Sequence, residues 1–213
     1  MAYPTVSAPY GLQPINLIGG QSFAGQTREL PITTSSVNYN TALYTGQVVQ
    51  IDPTNGTIVA GTLSNGTSPV AGTIGVFVGC SYTNPATKQK LFAQYWPGYS
   101  SGVTDAVAYI VDDPDALFKV VSVGSTANST GLTPVAVPQA ALGGNVALVL
   151  NTGNANTGDA TTGVYYDSAT ANSTYGFRIV DLVTDTATSA GYFEVIVKFN
   201  FGFHSYYNAT GVA

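Results

Sequence analysis

The sequence predicts an all-β protein, either an antiparallel β-sandwich or a barrel of the jelly-roll or small-barrel type, with an extended N-terminal arm. Only 8% of the 213 residues are charged, although no apolar stretch is long enough to span a membrane. Glycine occurs 24 times, alongside many Ser, Thr and Asn residues, and this composition is typical of strands and turns. Turn motifs also separate short apolar runs. Asn55-Gly56, for example, lies between two such runs and indicates a β-hairpin.

Residues 1–27 are predicted to form the N-terminal arm. Its first 26 residues carry no charge, and Pro4, Pro9 and Pro14 exclude a regular helix, because proline lacks a backbone donor and favours extended geometry in the residue before it. An extended apolar segment needs a surface to cover, either its own domain or a neighbouring subunit, and we expect the neighbour. The expected contact residues are Tyr3, Pro4, Tyr10, Leu12, Pro14, Ile15, Leu17 and Ile18.

Two β-rich regions follow, at 28–123 and 132–213, and they form either two domains or one. The turn-rich stretch 124–131 divides them. Strands are predicted in the first region at 28–33, 42–51, 57–60, 73–82, 89–95, 105–111 and 116–123, and in the second at 145–150, 175–183 and 192–201. The last two strands are long and apolar on both faces, so we expect this hairpin to be central or covered.

Charge and cysteine content exclude several classes of function. The net charge is −5 and the six basic residues are scattered, whereas nucleic-acid binding requires clustered Lys and Arg. We therefore expect neither a nucleic-acid nor a membrane partner. Cys80 is the single cysteine, which excludes an intrachain disulfide and a cysteine zinc site, and we expect it to be a small buried residue. The N-terminus lacks the basic region of a signal peptide, so no export signal is expected.

Candidates for catalysis are weak. A nucleophile–histidine arrangement or a histidine metal site would depend on His204, the single histidine. Asp112, Asp113 and Asp115 could contribute to a calcium site or a pair of glycosidase carboxylates, but a turn with Asp side chains capping backbone amides is the simpler interpretation. We predict no enzymatic activity, no cofactor, and neither catalytic nor metal-binding residues. An enzymatic alternative requires these acids and His204 to meet in one cleft.

An aromatic loop is a candidate contact surface. Tyr95, Trp96 and Tyr99 lie close together around Pro97-Gly98. Such a loop is typical of sugar stacking or of a subunit contact, and equally of core packing at the end of a strand.

Several segments of the chain together resemble one protein family. They read PYGLQPINLIGG at 9–20, YTGQVV at 44–49, FAQYWP at 92–97 and FRIVDLV at 177–183, with further similarity at 74–83, 109–120 and 195–204. The chain resembles the capsid decoration, or cement, proteins of tailed bacteriophages, particularly marine phages that infect cyanobacteria.

The resemblance implies a β-rich subunit on the outer surface of a mature icosahedral capsid. Proteins of this kind commonly bind as homotrimers at local three-fold positions and clamp neighbouring major capsid proteins. The expected partners are therefore the major capsid protein and further copies of this chain. This role needs no active site, in agreement with the weak catalytic candidates.

We therefore expect a non-enzymatic virion structural protein that decorates and stabilises the mature capsid by bridging major capsid protein subunits. The alternative is a carbohydrate-binding adhesin or head fibre on the virion surface that uses Tyr95, Trp96 and Tyr99.

Overall fold

The computed structural model describes residues 5–34, 41–61, 63–64, 68–69, 72–98, 102–124, 132–149, 153–186, 191–209 and 211. The fold is all-β, which confirms the predicted class. Helices in these residues are short 3-10 turns at Gln139–Ala141, Thr184–Thr186 and Ser205–Tyr207. The strands are β1 (Gln13–Leu17), β2 (Arg28–Pro31), β3 (Leu43–Tyr44), β4 (Gln47–Ile51), β5 (Ile58–Ala60), β6 (Leu63–Ser64), β7 (Ser68–Pro69), β8 (Thr73–Thr83), β9 (Lys90–Ala93), β10 (Tyr95–Trp96), β11 (Val107–Val111), β12 (Ala116–Val123), β13 (Asn145–Val149), β14 (Gly163–Thr170), β15 (Phe177–Val183) and β16 (Glu194–Phe199).

The last five strands close into a barrel. Their order is β12-β14-β13-β15-β16, and β16 pairs again with β12. The β12–β14 pairing is parallel and involves Ser122 and Val123 of β12, whereas the other four pairings are antiparallel. Closure pairs the strand edges that an open sheet would expose. The hairpin of β15 and β16 is therefore central, as predicted, because β16 lies between β15 and β12.

The barrel strands share an aromatic core, because alternate residues of a strand point to the same side. The ring of Phe199 lies 5.7 Å from that of Phe118 and 4.7 Å from that of Phe177, measured between centroids. All three phenylalanines are buried. Aliphatic side chains from the neighbouring strands complete this part of the core, namely Val120, Val146, Leu148, Val164, Ile179, Val195 and Val197.

A second sheet, in the order β2-β11-β8-β4-β5, packs against the barrel, and β9 also pairs with β8. The long strand β8 contributes to two cores: Ile74 and Phe77 pack in the core of the second sheet, whereas Val76 packs in the barrel core. At Gly75 the neighbouring backbone passes so closely that a Cβ atom would lie 2.1 Å from the carbonyl oxygen of Val111. Any larger residue there would force the chain segments apart.

The N-terminal segment is part of the body, which corrects the prediction of a docking arm for the residues that the structure describes. β1 pairs antiparallel with the first half of β12, from Gln13 opposite Lys119 to Leu17 opposite Ala116. This edge of β12 is available because β14 pairs only with its far end, and an unpaired strand edge presents backbone donors and acceptors that need partners. Leu12 lies in the barrel core with 1% of its surface exposed. The segment therefore covers its own domain, the alternative that the sequence left open.

A buried ion pair also holds this segment in place. The Tyr10 hydroxyl donates a hydrogen bond to the Glu194 carboxylate, and the Lys119 Nζ lies 3.1 Å from Glu194 Oε1. Glu194 is buried. Burial, followed by the hydrogen bond to Glu194, raises the pKa of Tyr10, so this phenol stays protonated and donating.

The two sheets do not follow the predicted regions. β12 lies inside the predicted region 28–123, yet it pairs with β14 and β16 of the region 132–213 and with β1 of the predicted arm. Val48, Val76 and Val111 of the second sheet also belong to the barrel core. The second sheet thus contributes to the barrel core in addition to forming a core of its own. Residues 125–131, most of the predicted boundary, lie outside the described residues.

Candidate functional site

Exposed aromatic side chains cluster where the chain leaves the barrel. We define the C-terminal patch as Ile18, Phe201, Tyr206 and Tyr207, all of which expose a third or more of their surface, with Phe201 at 79% and Ile18 at 50%. The rings of Phe201 and Tyr207 stack, with their centroids 5.9 Å apart. Clustered apolar side chains on a protein surface often mark a site of interaction with a partner. This patch is therefore the leading candidate for a functional surface.

Tight backbone turns present these rings. After β16, the Asn200 amide nitrogen donates to the Gly176 carbonyl (2.8 Å), and the Asn200 side chain accepts a hydrogen bond from the Phe201 amide nitrogen (3.0 Å). Gly202 has a φ of +86°, in the left-handed region that glycine adopts without strain. The chain therefore turns away from the barrel at this point and carries Phe201 outward.

His204 anchors the patch from below. It is fully buried, its ring lies 5.3 Å from that of Phe199, and its Nδ1 accepts a hydrogen bond from the Tyr206 amide nitrogen (3.2 Å). Burial is the largest influence and lowers the pKa of His204, although nearby Asp112 and Asp113 oppose it. The imidazole is a structural cap for the final 3-10 turn.

The acidic residues form the polar rim of the patch. Asp112 pairs with Arg28 at 2.7 Å and accepts a hydrogen bond from the Tyr206 hydroxyl at 2.7 Å. Asp115 pairs with Lys198 at 2.5 Å and accepts from the Tyr207 hydroxyl at 3.3 Å. The hydrogen bond from Lys198 lowers the pKa of Asp115, whereas burial and the bond to Asp112 raise the pKa of Tyr206 to about 12.

The same geometry bears on the enzymatic alternative. Asp113 forms the predicted turn: its side chain accepts from the Asp115 amide nitrogen at 2.8 Å. Asp112, Asp115 and His204 do come into one neighbourhood, but His204 has no exposed surface and the two acids are paired with bases. No group of three or more His, Cys, Asp or Glu side chains that could hold a metal ion occurs in the described ranges.

A small groove opens beside the patch. Ile18, Val180, Phe201 and Tyr207 form its apolar walls, and Arg178 and Lys198 contribute its positive charges. Its volume is about 180 Å³, below the roughly 300–1,000 Å³ of pockets that bind small molecules. It exceeds the roughly 150 Å³ cavity that holds one benzene ring. The groove thus has room for about one side chain of a partner.

The predicted arm residues have three different outcomes. Tyr3 and Pro4 lie outside the described residues. Tyr10 and Leu12 face the body, and Pro14, Ile15 and Leu17 belong to β1 and are partly buried. Ile18 lies on the exposed surface, where its backbone nitrogen donates to the Asp115 carbonyl at 3.0 Å. Of the six described residues that were expected to dock on a neighbour, it is the one that joins the C-terminal patch.

The aromatic loop packs inward, which corrects its interpretation as a contact surface. Trp96 is 1% exposed and meets Tyr82 edge-on at 5.0 Å between centroids. Tyr95 is partly buried and stacks on Tyr44 at 5.7 Å, and Tyr99 lies outside the described residues. β10 pairs with β3, so Trp96 is directed into the core of the second sheet. Trp96 is therefore too buried to stack on a sugar, as the carbohydrate-binding alternative requires.

Cys80 is buried in the same core, as expected. Burial raises the pKa of its thiol to about 12, so the reactive thiolate is scarce at neutral pH. No helix in the described residues is both long and apolar enough to cross a bilayer.

Comparison with known proteins gives no match. No family model, curated protein or solved structure matches this chain. The resemblance to capsid decoration proteins therefore stays a prediction.

Sequence reasoning did not identify the C-terminal patch. Three of its four residues lie in the stretch Asn200-Phe201-Gly202-Phe203-His204-Ser205-Tyr206-Tyr207, in which the sequence analysis names His204 as the one candidate for a site. Two signals in it indicate an exposed aromatic turn: a glycine directly after a predicted strand, and four aromatic residues within seven positions. Arg178 could not be identified in this way, because the side chains that position it lie 22 and 33 residues away.

Proposed function

We propose that this protein is a non-enzymatic virion structural protein that decorates the outer surface of a mature capsid and stabilises it by bridging major capsid protein subunits. One observation carries the proposal: the C-terminal patch displays four large apolar side chains on a rigid β-barrel. The resemblance of the sequence to capsid decoration proteins supplies the identity of the partner. Association of the chain into homotrimers belongs to the same proposal.

The composition of the patch suits a protein contact. Aromatic residues and arginine are enriched at the centres of protein interfaces and in their energetic hot spots. Here Phe201 and Tyr207 lie together with Arg178 at the groove. A chain with so few charges elsewhere depends on apolar contact and hydrogen bonds, which salt weakens little.

Each apolar contact contributes only a modest binding free energy. Several copies of the same contact together give stronger binding. Burying one large apolar side chain contributes about 1.5–3 kcal/mol, and association costs at least about 4 kcal/mol. A single patch therefore gives weak binding. A trimer that presents three patches to one shell gains from high effective concentration, so that decoration becomes stable without new contacts.

The proposal replaces the arm with a different docking element. Tyr10, Leu12 and β1 contact their own chain, so this segment is not a free arm. Ile18 remains exposed at the end of β1. Docking in this proposal therefore uses the C-terminal patch, with Ile18 as the one contribution from the N-terminal segment.

The test is reconstitution on mature particles of the source phage from which the protein is absent. We expect the purified full chain to co-sediment with the particles, to give density on the outside of the shell by cryo-electron microscopy, and to raise the temperature of DNA release. Phe201→Ser should abolish co-sedimentation. Phe92→Ser is the matched control, since Phe92 is equally exposed, at 76%, but lies on β9 of the second sheet. Failure of the wild-type chain to bind the shell would overturn the proposal.

A further inference from the structure

The groove beside the C-terminal patch contains a positive charge without a counter-charge. Four of the six basic side chains form ion pairs: Arg28, Lys90, Lys119 and Lys198 lie 2.5–3.1 Å from carboxylates. Arg178 lines the groove, and no carboxylate of the described residues lies within ion-pair distance of it. Arg178 thus differs from these four basic side chains: it is an exposed cation without a paired carboxylate, in a chain with net charge −5.

Two buried amides hold the guanidinium in place. Its Nε donates to Asn145 Oδ1 at 3.0 Å and its Nη2 donates to Asn200 Oδ1 at 3.1 Å. Both amides are themselves oriented, because the Asn145 nitrogen donates to the Asn172 carbonyl and the Asn200 nitrogen donates to the Tyr175 carbonyl. Arginine has five N–H donors in a rigid fork, so three remain available after these two bonds. The fork is thus pre-organised for a further acceptor.

Charge and size together define that acceptor. A carboxylate matches the arginine fork with two parallel hydrogen bonds, and a groove of about 180 Å³ with apolar walls accepts about one apolar side chain. Lys198, the other cation at the groove, is already paired with Asp115. A nucleic-acid phosphate also matches an arginine, but the net charge of −5 opposes it, and the apolar walls favour a protein.

We infer that the Arg178 groove binds an acidic apolar segment of the partner protein, with a carboxylate on the guanidinium and the adjacent apolar side chain between Ile18 and Phe201. This inference rests on the proposed function, and it adds the surface and the chemistry of the partner segment. The interaction is specific because the carboxylate and the apolar side chain must lie next to each other in the partner.

The test uses overlapping 15-residue synthetic peptides that cover the major capsid protein of the source phage, with binding to the full chain measured by fluorescence anisotropy. We expect at least one peptide with an Asp or Glu beside an apolar residue to bind. Arg178→Gln should weaken that binding about tenfold or more, the usual effect of removing a hot-spot arginine. Lys88→Gln is the matched control, because it removes one positive charge from another exposed side chain and should leave binding unchanged.

Two further variants keep the result interpretable. Changing the acidic residue of the bound peptide to its amide should cause the same loss as Arg178→Gln, and combining the two changes should cause no additional loss, as expected for a directly interacting pair. Phe201→Ser should weaken binding as well. This variant covers the case in which Arg178→Gln disturbs Asn145 and Asn200, because the Phe201 side chain is exposed and the substitution keeps the backbone amide that donates to Asn200.

The inference can fail separately from the proposed function. Equal binding of peptides and of particles by Arg178→Gln and Lys88→Gln would overturn the inference and leave decoration intact. Binding of a 20-base-pair DNA duplex that requires Arg178, or self-association in analytical ultracentrifugation that requires it, would also overturn the inference by identifying a different occupant. Failure of the wild-type chain to bind particles would overturn both.

Discussion

Residues 5–18 and residues 200–209 are both rich in apolar and aromatic side chains, and the fold uses them in opposite ways. The N-terminal segment adds a strand to β12 and buries Leu12. The C-terminal segment leaves β16 through a turn and exposes Phe201, while His204 is buried beneath it.

The difference follows from where unpaired strand edges are available. β12 has an open edge along its first half, so an extended segment passing there gains backbone hydrogen bonds as well as burial. β16 has partners on both edges, β15 and β12, so the chain that follows it cannot add a strand to β16. Apolar composition alone thus does not distinguish a segment that completes its own fold from one that is free to contact a partner.

The largest effect is expected in the N-terminal segment. Leu12→Ala should lower the free energy of unfolding by about 2–5 kcal/mol, because it leaves a cavity in the barrel core. Ile18→Ala is the control from the same segment and should change it by less than about 0.5 kcal/mol, since half of Ile18 is exposed. Urea unfolding measures both. Similar values for the two variants would contradict the contrast between the ends of the chain.

The buried ion pair gives the next effect. Lys119→Met keeps the apolar stem but leaves the Glu194 carboxylate without its cation, so we expect a loss of about 2 kcal/mol, less than for a fully buried pair because Lys119 is a third exposed. Lys90→Met breaks the exposed pair with Asp105 and should cost clearly less, because solvent screens an exposed ion pair. Equal losses of unfolding free energy for the two variants, measured in urea, would show that Lys119 does not stabilise the buried Glu194 carboxylate.

The anchor of the C-terminal segment predicts a pH dependence. Burial lowers the pKa of His204 below its ordinary value of 6.5 in the folded state, so the unfolded chain takes up a proton first as the pH falls. Stability should therefore be constant above about pH 7 and decline below pH 6.5, with a limiting slope of about 1.4 kcal/mol per pH unit for one proton.

Thermal unfolding between pH 7.5 and pH 5 measures this slope. His204→Asn should reduce it, because an Asn side chain can still accept the hydrogen bond from the Tyr206 amide nitrogen but does not titrate. The carboxylates of Asp112 and Asp113, which act on the imidazole electrostatically, are present in both the wild type and the variant. Their own titration therefore does not account for a difference between the two slopes. An unchanged slope would assign the acid sensitivity to other groups.

Local signals in the sequence predicted the hairpins well. The Asn55-Gly56 motif correctly places the turn between β4 and β5, which pair from Ile51 opposite Ile58 to Val49 opposite Ala60. The turn closes with a hydrogen bond from the Asp52 amide nitrogen to the Thr57 carbonyl at 2.8 Å. The hairpin of β15 and β16 was predicted for the same kind of reason, since adjacent strands joined by a short connection usually pair.

Long-range pairings were not accessible in this way. The barrel closes through β12 and β16, whose paired residues Val120 and Val195 are far apart in the sequence, and no local pattern specifies that register. The same limit explains Trp96: its strand β10 pairs with β3, so the ring points inward, whereas the sequence fits an exposed loop equally well. In the sequence, Arg178 is one of six scattered basic residues. Only the folded structure shows that Asn145 and Asn200 hold its guanidinium in place.

The smallest effect on stability is expected where the proposed effect on binding is largest. Phe201→Ser should change the free energy of unfolding by less than about 0.5 kcal/mol, because its side chain is 79% exposed, whereas Phe199→Ala, two residues earlier in the barrel core, should cost about 3–5 kcal/mol. Urea unfolding of the two variants tests this directly. A large loss for Phe201→Ser would mean that the patch stabilises its own chain, as Leu12 does at the other end, and the C-terminal segment would then no longer be a surface free for a partner.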